Sequence, residues 1–248
     1  MPFARVDNSS GLWKPRMKKN PAMNFENNPL SDLAARYLEA LLRAGKNEAS
    51  RLVLAAVEAG TSVRSIYMEV FQPVQREIGR LWQTNEVSVA QEHFCTAATQ
   101  LIMGQLFPMF PRVSRNGKRV VVTCVAGELH EVGARMVADL LEMEGWDSYF
   151  LGANTPSSGI LSAVAEREAD ILAVSVTIHY NVEAAQQLIS EVRHLPDATS
   201  LKVMVGGRPF LVAPNLWRTI GADASAADAE EATATAARLI SWAAKRGK

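Results

Sequence analysis

Beyond Lys118 the chain alternates short β-branched runs with amphipathic stretches, and this rhythm restricts its fold more than any other feature. The segments RVVVTCVA (119–126), DSYFLG (147–152), DILAVSVT (170–177), LKVMVGG (201–207) and ADASA (223–227) read as strands. Between them, 131–144, 158–167 and 181–194 read as helices. Runs this apolar, each followed by a helix, predict a parallel sheet covered on both faces. In such a sheet a ligand belongs at the carboxyl ends of the strands.

The preceding part has a different period. Leu33, Tyr37, Leu38, Leu41 and Leu42 form one helical stripe, and Leu52, Val53, Ala56 and Val57 a second. A third runs Val63, Ile66, Tyr67, Val70, Phe71, Val74, Ile78 and Leu81, with Pro73 expected to bend it. A fourth helix opens on Ser88 and Gln91 at capping-box spacing. The whole chain therefore reads as a flexible basic arm (1–28), a four-helix bundle (29–112) and an α/β domain (113–248), the change falling near Pro111 to Lys118. In the arm, Arg5, Lys14, Arg16, Lys18 and Lys19 stand against Asp7 and Glu26, and Trp13 is its one conspicuous aromatic.

Composition removes several classes of function. With 248 residues, 48% of them hydrophobic, the chain can bury a substantial core. A formal net charge of zero gives no reason to expect tight electrostatic binding to nucleic acid or membrane. Cys95 and Cys124, the only cysteines, are far apart and lack metal-ligand spacing, which fits a reducing cytoplasm. No stretch has the length of an apolar membrane span.

The first strand ends in GELHEVGARMV (127–137), which sets His130 between Glu128 and Glu131 at the start of a helix. This turn has neither the three-glycine dinucleotide fingerprint nor a lysine-bearing phosphate loop, and its acidic residues would repel phosphate. It suits a metal ligand instead. A carboxylate that takes the proton on one imidazole nitrogen fixes the tautomer and makes the other nitrogen more basic, and Glu128 is placed to do so. The helix start also disfavours the imidazolium form, which cannot bind a metal.

Glu128-x-His130-x-x-Gly133 is followed by 41 residues, Ser175-Val176-Thr177, 28 more residues, and Gly206-Gly207. The three linked motifs resemble those of cobalamin-binding domains, over roughly residues 30 to 245. One departure is Glu128, where many members have Asp, which changes the reach of its hydrogen bond. The resemblance implies a helical cap followed by a flavodoxin-like (Rossmann-like) domain, with cobalamin bound between them. It makes His130 the lower axial ligand of cobalt. The displaced dimethylbenzimidazole would enter a slot lined by Ser175, Thr177, Gly206 and Gly207.

In the cap, Trp82 is followed by nine residues and then Glu92-His93. This is similar to the Trp-x9-Glu-His signature of cobalamin-dependent photoreceptors, the CarH-like sensors. By that likeness Trp82 packs the upper ligand, Glu92 shapes the pocket, and His93 takes the upper cobalt position once light has broken a cobalt–carbon bond. The cofactor would be adenosylcobalamin or its photolysed hydroxo or bis-histidine form. Only about 28 residues precede the first cap helix, too few for a DNA-reading domain. The chain thus resembles stand-alone antirepressors of the AerR/PpaA type, non-enzymatic regulators acting through a PpsR/CrtJ-type repressor as protein partner. The alternative is a corrinoid carrier of a methyltransferase system, which would use the same His130 and the same slot. A mutase would need a catalytic barrel that the sequence does not contain.

Overall fold

The computed structural model describes residues 25, 28–195 and 200–246, the side chains of 242–246 excepted. The arm's basic residues and Trp13, with the expectation of flexibility placed on them, lie outside the described residues. The chain divides after Phe107 into a helical unit and an α/β unit.

The helical unit comprises α1 (Ser31–Leu42), α2 (Lys46–Glu58), α3 (Val63–Ser65), a π-helical segment (Ile66–Phe71), α4 (Gln72–Gln83) and α5 (Val89–Leu106). α3, the π segment and α4 follow one another without leaving helical backbone. Pro73 shows why the middle is π. It has no N–H for the carbonyl of Glu69, and the Asn28 side chain donates to that oxygen at 2.6 Å. The predicted third stripe, from Val63 to Leu81, is buried throughout. Tyr37, Tyr67 and Phe71 meet in its middle, ring centroids 5.4 and 5.5 Å apart. Ser88 and Gln91 form the expected capping box at the start of α5. The second stripe departs from expectation, because α2 buries only Ala49 and Val53.

In the α/β unit, β1 (Arg119–Cys124), β2 (Asp147–Gly152), β3 (Ile171–Ser175), β4 (Lys202–Gly206) and β5 (Ala224–Ala226) form one parallel sheet, ordered β2-β1-β3-β4-β5. The helices are α6 (Val132–Met143), α7 (Ser157–Glu166), α8 (Val182–Arg193), the short α9 (Arg208–Val212) and α10 (Leu216–Thr219), and the long α11 (Ala229–Arg246). Alternation along the strands divides the core in two. Val120, Val122 and Cys124 join Ala134 and Leu141 of α6 and Ala236 of α11 on one face. Val121 joins Ile160 of α7 and Leu188 and Val192 of α8 on the other. β1 therefore feeds α6 on one face and β3 feeds α8 on the opposite face. A crevice must open between their carboxyl ends, as at the switch point of flavodoxin-like sheets.

Candidate functional site

Strand register sets Cys124, Ser175, Gly206 and Ala226 side by side at the carboxyl ends of β1, β3, β4 and β5. The turn carrying Glu128, His130 and Gly133 leaves β1 at this edge, and Thr177 and Gly207 continue β3 and β4. The structure thus brings together all seven residues that the sequence assigns to the α/β unit.

Glu128 is the centre of the arrangement and is fully buried, at 0% exposure. Its Oε1 accepts from the His130 backbone N–H at 3.0 Å and pairs with His130 Nδ1 at 2.5 Å. Its Oε2 accepts from the backbone N–H groups of Thr177 and Ile178, at 2.8 and 3.0 Å, and from Asn181 Nδ2 at 3.0 Å. Burial pushes the carboxyl pKa up. The hydrogen bonds from His130, Ile178 and Asn181 outweigh that push and hold it down at about 2. An ionised Glu128 keeps the proton on Nδ1, so the imidazole lone pair resides on Nε2. One carboxylate thereby ties the loop after β1 to the loop after β3 and fixes the tautomer of a side chain that is still 37% exposed. The longer Glu in place of Asp fits this geometry, since its two oxygens reach separate loops.

Neighbouring bonds hold the turn from its other side. Asn154 Oδ1 accepts from Gly127 N–H at 2.8 Å, and Glu131 Oε2 accepts from Ala153 N–H at 2.8 Å. Sequence reasoning missed Asn154 and Asn181. Asn181 occupies the N-cap position of α8, where Asn is ordinary, but its backbone is in the helical region and its side chain makes no capping bond; its Nδ2 donates to Glu128 instead. Asn154 has a φ of 50°, in the region that Asn tolerates best after glycine.

The glycines divide by what they face. A Cβ on Gly207, at φ +110°, would lie 1.9 Å from the carbonyl oxygen of Val176, so this glycine lets the ends of β3 and β4 meet backbone to backbone. On Gly206 a Cβ would come within 3.3 Å of the Ala226 oxygen. On Gly133 it would meet no protein atom within 4 Å. Gly133 thus faces open space, whereas Gly207, which the sequence places in the lining of the slot, is required by chain packing. Leu129, Ile178 and Tyr180, in the connections after β1 and β3, and Leu211 and Val212 of α9, just after β4, are exposed apolar side chains.

In the helical unit, Trp82 ends α4 half-exposed, and Glu92 and His93 stand in the first turns of α5. His93 Nδ1 pairs with Glu92 Oε2 at 2.6 Å, and the imidazole is 72% exposed. Glu92 Oε1 accepts from Thr96, and Thr96 bonds Gln75. Gln75 donates to Thr99, which meets the buried Tyr37 hydroxyl at 2.8 Å. Both cysteines are buried. Burial first, with nearby carboxylates second, pushes each thiol up to about 12.

Among the described residues no three His, Cys, Asp or Glu side chains gather as a metal cage. A single imidazole completes the protein's share only for a metal that arrives with its other ligands, as cobalt in a corrin does. The donor set, the open space at Gly133 and the exposed apolar side chains after β1, β3 and β4 fit that group.

Residues 118–237 match the family described as B12 binding domain, and residues 33–106 match a second family of the same description. The two matched regions are the helical unit and the Rossmann-like unit, and they mark the chain as cobalamin-binding. In sequence it is similar to monomethylamine corrinoid protein 1 of Methanosarcina acetivorans, 26% identical over 197 residues, 77% of this chain and 89% of that protein. Dimethylamine corrinoid protein of Methanosarcina barkeri is 28% identical over 168 residues, 63% of this chain and 78% of that protein. The solved structure of the Methanosarcina barkeri monomethylamine corrinoid protein superposes with a TM-score of 0.75 at 20% identity, covering 85% of this chain and 99% of that one.

Proposed function

We propose that this chain is a corrinoid carrier that holds cobalamin through His130 Nε2 and presents it to protein partners in a methyl-transfer system. The observation that carries this reading is the five-bond seat of Glu128, which commits His130 Nδ1 to the carboxylate and turns the other nitrogen into an oriented metal ligand. The sequence likeness to monomethylamine and dimethylamine corrinoid proteins supports it. Bound cobalamin supplies a cobalt atom that accepts and releases an alkyl group. The chain's own share is to hold that group, with Ser175, Thr177 and the Gly206-Gly207 turn lining the slot for the nucleotide tail. In this reading the enzymatic steps belong to the partners, and the chain itself carries out none.

The decisive measurement is the EPR spectrum of the hydroxocobalamin-loaded protein after reduction to cobalt(II). Nitrogen splitting that changes on 15N-histidine labelling and vanishes in His130→Ala is the expected result. Splitting indifferent to both would mean that the cofactor keeps its own base and that His130 is no ligand.

The spacing of Trp82 from Glu92-His93, with His93 held by Glu92 on an exposed surface, favours a second reading as a light- or cobalamin-state sensor. There His93 would replace the upper ligand, and a repressor of the PpsR/CrtJ type would be the partner. Absorption spectra of adenosylcobalamin-loaded protein before and after green light separate the two. A stable change lost in His93→Ala supports the sensor. No such change, with a methyl group transferable to a thiol from methylcobalamin-loaded protein, supports the carrier.

A further inference from the structure

The helical unit has a groove lined by none of the residues assigned to cobalamin. α1 sends six side chains into the core, but α2 sends only Ala49 and Val53. Much of the remaining apolar side of α2 lines an open groove of about 560 Å³, where Leu52, Ala55 and Ala56 face Leu30 and Leu33. Arg36 of α1 and Arg51 of α2 stand exposed at its walls. Neither has an ion-pair partner among the described residues. Glu48, the one carboxylate lining the groove, is engaged by Arg43 at 3.3 Å. An apolar floor is thus bordered by uncompensated positive charge.

We propose that this groove docks an acidic amphipathic helix of a partner protein. Small-molecule sites enclose most of their ligand, which an open trough between two helices does not do. A helix laid in the trough buries one stripe at i, i+3, i+4 and i+7, and Ala55 and Ala56 let its backbone come close. Carboxylates on its flanks meet the two guanidinium groups, which match carboxylate geometry. The chain's own N-terminal arm has the wrong charge for this role, since Arg5, Lys14, Arg16, Lys18 and Lys19 would face Arg36 and Arg51. The proposal does not depend on the cobalamin reading.

The test is selection of a phage-displayed library of helical peptides on the immobilised full chain. Enriched sequences should share leucine-like residues at helical spacing with Asp or Glu beside them. Synthetic copies should bind the Arg36→Glu/Arg51→Glu variant roughly tenfold more weakly, as expected for two rim ion pairs turned repulsive. Both arginines are exposed, and unchanged circular dichroism would verify that the variant folds. A basic consensus, no enrichment, or equal binding to the variant overturns the proposal. So does enrichment seen only after removal of residues 1–24, which would make the arm the occupant, or self-association of the chain that depends on the two arginines, which would make it a second copy.

Discussion

Glu128 is a buried carboxylate whose cost of burial is met by five donors, and the balance is sensitive to any change of partner. In Glu128→Gln, one of the two loops must face an amide NH2 where an acceptor stood, which sets donor against donor. A destabilisation of about 2–3 kcal/mol is expected from chemical denaturation, following the magnitude for a lost hydrogen bond to a charged group. Asn181→Ala removes one donor and keeps the backbone pair, so its cost should be smaller, about 1 kcal/mol. Asn181→Asp places a second carboxylate 3.0 Å from Oε2 and should be the worst of the three at neutral pH. If Asn181→Asp proved the mildest, the hydrogen-bond assignment around Glu128 would be wrong. The pairing of Glu128 with His130 was legible in the sequence, because the two lie on one turn. Asn181 was not, because a residue 53 positions away meets Glu128 only when β1 and β3 lie side by side.

At the scale of elements, two glycines in similar motifs should behave oppositely. Gly207→Ala drives a methyl group into the Val176 carbonyl at a φ that disfavours any side chain. It should prevent folding or cost more than about 4 kcal/mol. Gly133→Ala lies in α6 with open space around it and should stabilise the apoprotein by about 0.5–1 kcal/mol through helix propensity. Weaker cobalamin binding by that more stable variant, read by titration of the cofactor's absorption, would identify the space as the ligand's. Unchanged binding would place the cofactor elsewhere. The π-helical segment makes a related point. Pro73 announced a disturbed helix, and the sequence contained the proline; that Asn28 would satisfy the Glu69 carbonyl followed only from where the chain enters the bundle. Asn28→Ala should cost about 1 kcal/mol, measured as a shift in the denaturation midpoint.

For the whole molecule, the buried thiols set a limit on the alkaline side. A thiol with a folded pKa near 12 and an ordinary value of 9.0 stays protonated in the fold after the unfolded chain has begun to ionise. Its stabilising effect is therefore complete below pH 9.0 and is lost as the pH rises toward about 12. Denaturation midpoints should fall across that window, and Cys95→Ala/Cys124→Ala should flatten the fall. Near neutral pH both thiols should resist iodoacetamide until denaturant is added. Rapid alkylation of the native protein would contradict the buried placement of both. Among the described residues no helix is long and apolar enough to cross a membrane, as the sequence led us to expect.

What the sequence determined by itself was local and periodic. The alternation after Lys118 dictated a parallel sheet, the stripes from Val63 to Leu81 dictated a bundle core, and one turn placed a carboxylate beside His130. Each depends on residues within a few turns or one strand of each other, so spacing alone reveals it. The tertiary structure decided what depends on separate segments meeting. It set Asn181 and the β3 loop on Glu128, closed Gly207 against Val176, and buried only Val53 of the α2 stripe completely, leaving Leu52, Ala56 and Val57 partly uncovered. A periodic pattern records which side chains share a face, and only packing in three dimensions decides whether anything covers that face.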